Sequence, residues 1–207
     1  MRFFHIDRLG TFPQKKEEQR ISTQNTCNTR EAEKMFEMLY PNGVSKMGHL
    51  YLSPFDIDAS GSGINGTLEN HRIFTIEYAF EMVRLLKFPE MPSRFQSLFA
   101  CQTEQDLCGW YSILKENHYD VSHAVVKIIE ANDWFVADAA WRDERLAING
   151  SSETGKHIKY TVFSPFAYHA WAYDYWSGKP TSNPKIEVLC RLPVSVTGSV
   201  PISKYLC

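Results

Sequence analysis

The pattern of apolar and polar positions divides the chain into short strands and helices. Phe3, Phe4 and Ile6 anchor a first strand over residues 2–7. A polar connection follows, with Pro13 and the mixed charge run Lys15-Lys16-Glu17-Glu18, which reads as a solvated loop. Thr29 is placed to cap a helix over 30–39, with Ala32, Met35, Phe36 and Leu39 on its apolar face. Pro41-Asn42-Gly43 ends that helix with turn chemistry, and residues 46–52 read as a short extended segment. Residues 71–87 give the clearest helix, its buried stripe made of Ile73, Ile76, Ala79, Phe80, Val83 and Leu86, with Lys87 beside it. Glu77, Glu81 and Arg84 form a polar stripe on the same helix and are expected to be surface pairs. The other reading of that stripe sets Glu81 or Arg84 behind Arg94.

Phe88-Pro89-Glu90-Met91-Pro92 breaks the helix and delivers the chain into a buried strand over 96–101. Thr103 then caps a helix to Lys115, with Glu104 and Asp106 in its first turn. Residues 123–131 read as a strong strand, 133–138 as a connection or a second short strand, and 149–156 as a polar Gly/Ser loop. Ser164-Pro165 opens another helix, which Ser177-Gly178 closes. It carries Phe166, Tyr168, His169, Trp171, Tyr173, Tyr175 and Trp176, too many rings for one face. They either pack helix against sheet or form an aromatic wall for a flat ligand. Residues 185–192 make a strand with Ile186, Val188 and Cys190 on one face and Glu187, Leu189 and Arg191 on the other. A carboxylate inside so apolar a strand is costly unless it is paired or used. A last strand follows Pro193. The order of elements implies an α+β fold of short, mostly antiparallel strands and disfavours a regular βαβ alternation.

The 207 residues fit a single domain over 1–207, and 43% apolar with 14% aromatic residues suffices for a sizeable core. A formal charge of -2 advertises no basic surface for nucleic acid. No run reaches the roughly 20 apolar residues of a membrane span, so no membrane partner and a cytoplasmic location are the expectation. Cys27, Cys101, Cys108, Cys190 and Cys207 are scattered, and the histidines show no His-x-x-x-His, so neither a disulfide framework nor a metal is expected. Gly61-Ser62-Gly63-Ile64-Asn65-Gly66 matches the Gly-x-Gly-x-x-Gly spacing, but no clear strand leads into it and no Lys follows. The stretch 56–66 reads instead as a loop, placed as a lid near a site.

The candidate chemistry centres on Arg94 and Ser97, a cationic fork and a hydroxyl where a strand begins and a helix leaves after it. Phe4-His5-Ile6-Asp7, Ser93-Arg94-Phe95-Gln96-Ser97-Leu98-Phe99-Ala100 and Ile186-Glu187-Val188-Leu189 together resemble, in order, core pieces of the ADP-ribosyltransferase superfamily. The resemblance is to a divergent member and implies two split, mixed or antiparallel sheets forming an NAD cleft, with flanking helices. It further implies NAD as substrate and transfer of ADP-ribose to a macromolecular acceptor, protein or nucleic acid. Glu187 takes the catalytic place, stabilising an oxocarbenium-like ribose. His5, Ile6, Asp7, Arg94, Ser97 and Tyr111 take the cofactor-binding places. Arg94 would face the pyrophosphate, His5 and Ser97 the riboses, and Tyr111, Trp110 or Trp176 a ring. The chain departs from the superfamily in lacking Ser-Thr-Ser and in carrying Lys185 two residues before Glu187, which favours an acceptor other than arginine. NAD hydrolysis or a related NAD or phosphate-transfer reaction on the same fold, and a non-catalytic interaction module, are the rival expectations. A toxin, effector or defence role follows by analogy alone.

Overall fold

The computed structural model describes residues 1–8, 10, 16–17, 29–52, 64–143, 147–151, 157–161 and 165–205. Nine strands and six α-helices are seen among them, and every strand pairing is antiparallel. One sheet has the order β1 (Arg2–Asp7), β4 (Val125–Glu130), β9 (Val194–Pro201), β2 (Lys16–Glu17). A second has the order β3 (Ser97–Ala100), β8 (Ile186–Arg191), β5 (Trp134–Asp138). β6 (Ala147–Ser151) and β7 (His157–Thr161) form a separate hairpin. The two larger sheets are joined where Phe4 and Cys101 exchange both backbone hydrogen bonds, at 2.9 and 2.7 Å. The α+β class and the antiparallel strands are therefore as the sequence implied.

Strand alternation sorts the cores. Phe3 and Ile129 of the first sheet meet Ala100, Val188 and Cys190 of the second in one cluster. On the far side of the second sheet, Leu189 and Ala137 pack against Ile76, Phe80 and Val83 of α3 (Ile64–Lys87) and Tyr168, Ala172, Tyr175 and Trp176 of α6 (Pro165–Trp176). On the other face of the first sheet, Val126, Phe4 and Ile6 pack against Leu107 and Trp110 of α4 (Glu104–Glu116). A capping box starts α4: the Thr103 hydroxyl accepts from the Asp106 amide, and the Asp106 carboxylate accepts from the Thr103 amide.

Several expectations are corrected. Residues 46–52 are helical, as α2 (Lys46–Leu52), because the Ser45 hydroxyl accepts the Gly48 amide at 2.9 Å in the manner of a cap. Lys16–Glu17 pairs with Val194 and Ser195 instead of lying in a solvated loop. The polar stretch at 149–151 belongs to β6. α1 (Arg30–Leu39) begins at its Thr29 cap as expected, but Met35 is exposed while Phe36 is buried. α3 starts at Ile64, earlier than expected, and Leu86 near its end lies in solvent. The stretch 56–63 and residues 152–156 lie outside the described residues. A short α5 (Ala140–Asp143) takes the chain away after β5.

Candidate functional site

Arg94 opens a 3-10 turn, Arg94–Gln96, that leads into β3. It is fully buried, and its guanidinium is engaged on every nitrogen. Nε donates to Glu77 Oε2 at 2.6 Å and Nη2 to Glu77 Oε1 at 3.2 Å, a two-point fork. Nη1 donates to the Tyr175 hydroxyl at 2.6 Å and to Glu187 Oε1. The Tyr175 hydroxyl in turn donates to Glu187 Oε1 at 2.8 Å. Arg142 Nε lies 3.3 Å from Glu77 Oε1, so two guanidiniums face two carboxylates and the cluster is neutral. The Phe99 ring lies against the Arg94 guanidinium, 4.7 Å from its central carbon.

Electrostatics hold this cluster in its charged form. Burial works against the Arg94 charge, but Glu187 and Glu77 outweigh it and hold the guanidinium well above its usual range. Burial pushes the Glu77 carboxyl up, while Arg94, Arg142 and the Arg94 hydrogen bond bring it below the ordinary carboxylate range. Burial, offset in part by Arg94 and reinforced by Glu187, raises the Tyr175 phenol well above its usual value. Tyr51, packed edge-on against Phe95 and Phe99, is pushed up to about 12, by burial and then by the charge of Glu77.

A second buried network delivers Arg94 to its place. Arg84 Nε and Nη2 donate to the two oxygens of Glu81 at 3.0 and 2.9 Å, and the Ser93 hydroxyl donates to Glu81 at 2.9 Å. Arg84 Nη1 also donates to the carbonyls of Pro89 and Met91, each at 3.1 Å. The stripe Glu77, Glu81, Arg84 is thus buried and corrects the expectation of surface pairs.

The sequence-predicted site residues divide. Arg94 and Glu187 are in direct contact, as one ion pair. The expected pyrophosphate role of Arg94 is corrected, because its donors are spent on protein carboxylates and a hydroxyl inside the core. Ser97 is also fully buried and donates to the Ser93 carbonyl at 2.6 Å, which fixes the turn. Ile6 and Tyr111 are partly buried and pack in the α4 cluster. Trp110 donates its indole N–H to the Ile186 carbonyl at 2.6 Å, and Trp176 donates to the Phe80 carbonyl at 2.8 Å while stacking on Phe135. The aromatic helix is therefore mainly helix-to-sheet packing, although Tyr173 is exposed.

His5 and Asp7 lie elsewhere. Alternation puts both on the Phe3 side of β1, whereas Glu187 lies on the Leu189 side of β8, and those sides belong to different cores. His5 Nδ1 bonds the Phe99 carbonyl at 2.8 Å. A carbonyl only accepts, so Nδ1 carries the proton in this bond. Burial lowers the His5 pKa, against smaller opposing effects of that hydrogen bond and of Asp7, so the ring is neutral at pH 7.

Sequence reasoning missed Glu77 and Tyr175 as partners of Arg94, and Arg142 as a second cation beside Glu77. The available signal was Glu77, Glu81 and Arg84, each set immediately beside the buried stripe of its helix. Among the described residues, no group of His, Cys, Asp or Glu side chains is arranged to hold a metal ion, and no helix is long and apolar enough to cross a membrane. No curated protein matches the chain. Residues 3–202 match the family described as a protein of unknown function (DUF2441), and on that nearly full-length match the chain belongs to it.

Proposed function

We propose that the protein is an NAD-consuming ADP-ribosyltransferase, releasing nicotinamide and passing ADP-ribose to a protein or nucleic-acid acceptor. The observation that carries the reading is the arrangement of the sheets. Two small antiparallel sheets are joined at the Phe4–Cys101 bridge, the histidine of the first strand stands beside that join, and a buried glutamate lies on the strand next to β3. Two small antiparallel sheets are what a split-sheet frame needs, and this supports the reading. In this reading His5 takes the ribose place on the first strand that the resemblance gives it. Glu187 is the carboxylate for the oxocarbenium-like ribose, acting from within its contact with Arg94 and Tyr175.

The test is nicotinamide release from NAD, followed by chromatography, with labelled ADP-ribose traced into added protein, DNA or RNA. Wild type should release nicotinamide, and Glu187→Gln should lower the rate by about 10²–10³-fold while NAD binding persists. Absence of nicotinamide release by the folded wild type with every acceptor class would exclude the reading. The second reading is a non-catalytic binding module. It is favoured by the near-complete burial of Glu187 and its neutralisation by Arg94, which is what a structural ion pair would show.

A further inference from the structure

Of the charged groups that meet around Arg94 and Glu77, one reaches solvent appreciably. The side chains of Arg94, Glu77 and Glu187 are 0%, 1% and 5% exposed, whereas that of Arg142, on α5, is 20% exposed. Arg142 also has the fewest partners. Its Nε is buried and lies 3.3 Å from Glu77 Oε1, yet the N–H is not aligned for a hydrogen bond, and both Glu77 oxygens already take the Arg94 fork. Its Nη groups hydrogen-bond no described residue. A guanidinium that is mostly enclosed thus keeps its five N–H donors without an acceptor among the described residues. Donors left in that state cost free energy, and a fold retains them where a water, an ion or a ligand completes them. Tyr51 of α2 comes to the same place. Its ring packs edge-on against Phe99, the ring that covers the Arg94 guanidinium, and its hydroxyl bonds no described residue. Tyr51 and Arg142 each lie within electrostatic reach of the other, of Glu77 and of Glu187.

We infer that Arg142 and the Tyr51 hydroxyl together bind a phosphate group of a ligand at the solvent-facing rim of the buried cluster. Arg94 is committed to both carboxylates, so Arg142 is the cation with donors to spare. A guanidinium presents two donors as a planar fork, and Tyr51 adds one from another helix. A fork with a third donor suits the three terminal oxygens of a phosphate, where a carboxylate has only two. Both groups are donors at neutral pH. Burial works against the Arg142 charge, but Glu77 outweighs it, and Tyr51 and Glu187 add to Glu77 against Arg94, so the guanidinium is held above its usual range. Burial, and then Glu77, push the Tyr51 phenol up to about 12, so it keeps its proton. That the phosphate belongs to NAD rests on the reading of the protein as an NAD enzyme; the site itself rests on the unfilled donors of Arg142 and Tyr51.

The experiment is calorimetric titration of the full chain with ADP and with adenosine, for wild type, Arg142→Lys and Tyr51→Phe, each well below its melting temperature. Arg142→Lys keeps a cation beside Glu77 and removes the fork; Tyr51→Phe keeps the ring against Phe99 and removes the hydroxyl. Wild type should bind ADP more tightly than adenosine. Each substitution should weaken ADP by roughly 10- to 100-fold, the worth of a hydrogen bond to a charged group, and leave adenosine unchanged. ADP should also raise the wild-type melting temperature more than that of either variant. A purely structural Arg142 would leave ADP affinity equal in all three proteins, and that result overturns the inference. So does the absence of ADP binding to wild type at millimolar concentration, or a loss of adenosine binding as large as the loss of ADP binding. Nicotinamide release from NAD, measured on the same samples, separates this proposal from the transferase reading. ADP binding that depends on Arg142 and Tyr51, without nicotinamide release, sustains the phosphate site and sinks the transferase. Release with ADP affinity indifferent to both residues does the reverse.

Discussion

Replacing Glu77 with glutamine is the sharpest probe of the buried cluster. The change keeps the shape of the side chain and removes one negative charge from a site with no exposed surface. Glu77 receives two donors from Arg94 and faces Arg142, so the substitution leaves two buried guanidiniums against Glu187 alone. Breaking a buried ion pair by deleting one partner costs about 3–5 kcal/mol, because the remaining charge is uncompensated. For a domain of this size each kcal/mol moves the melting temperature by about 2–4 °C, which places the Glu77→Gln midpoint roughly 6–20 °C below wild type. Circular dichroism melts and urea titrations measure it. The pH dependence adds a second constraint. The folded-state Glu77 carboxyl is held below its ordinary range, so its stabilisation is complete above about pH 4 and is lost as pH falls through the folded value. The gap between wild type and Glu77→Gln should therefore be widest near neutrality and close in acid. A gap under about 1 kcal/mol at pH 7 would show that Glu77 does not hold the buried cluster together.

Gly48→Ala would place a Cβ 2.0 Å from the Phe95 carbonyl oxygen, both backbone atoms being fixed, so a loss of about 3 kcal/mol or more is expected in urea unfolding. Asp138 accepts the amides of Thr181, Lys185 and Ala140 at 2.7, 2.8 and 3.0 Å and so ties the entry to β8 onto the end of β5. Asp138→Ala should cost about 3 kcal/mol. Burial raises the Asp138 carboxyl, but the three amides outweigh it and its folded pKa is lowered, so this contribution too is present at neutral pH and lost in acid. Thr103→Ala removes the cap of α4 and should cost about 1 kcal/mol, read from the same melts.

Local grammar was legible where it acts within a few residues. Thr29 and Thr103 cap the helices they were expected to cap, and Gly178 closes α6 with φ of +73°. The first and last large strands fall where alternation puts them. Long-range partners were not legible. Nothing local in the sequence pairs Arg94 with Glu77, seventeen residues earlier, or with Glu187, ninety-three residues later. The helix α3 misled for a physical reason. Ile76, Phe80 and Val83 each precede one of Glu77, Glu81 and Arg84, so the apolar and polar stripes are neighbours, and α6 with the 88–94 segment buries both. Residues 46–52 misled for another. Gly48 looks like a helix breaker until the close approach of Phe95 explains it. The separation of His5 from Glu187 was equally hidden, because periodicity gives the face of a strand but not which layer covers that face.

The way Arg94 divides its donors bears on whether Glu187 can do chemistry. Glu77 takes the Nε and Nη2 fork, whereas Glu187 shares Nη1 with the Tyr175 hydroxyl. If Glu187 turns to a positively charged ribose, Arg94 keeps a two-point carboxylate partner and is not left as a naked charge. Glu77 has no such freedom, since it also faces Arg142. The two glutamates, equal in charge and nearly equal in burial, are therefore unequal in structural duty. Glu187→Gln should destabilise the fold less than Glu77→Gln, with the urea midpoints in that order. It should still remove nicotinamide release, whereas Glu77→Gln, assayed below its melting temperature, should retain part of it. The opposite order of stability would make Glu187 the cluster's main structural anion and would remove the physical reason for assigning it a role in catalysis.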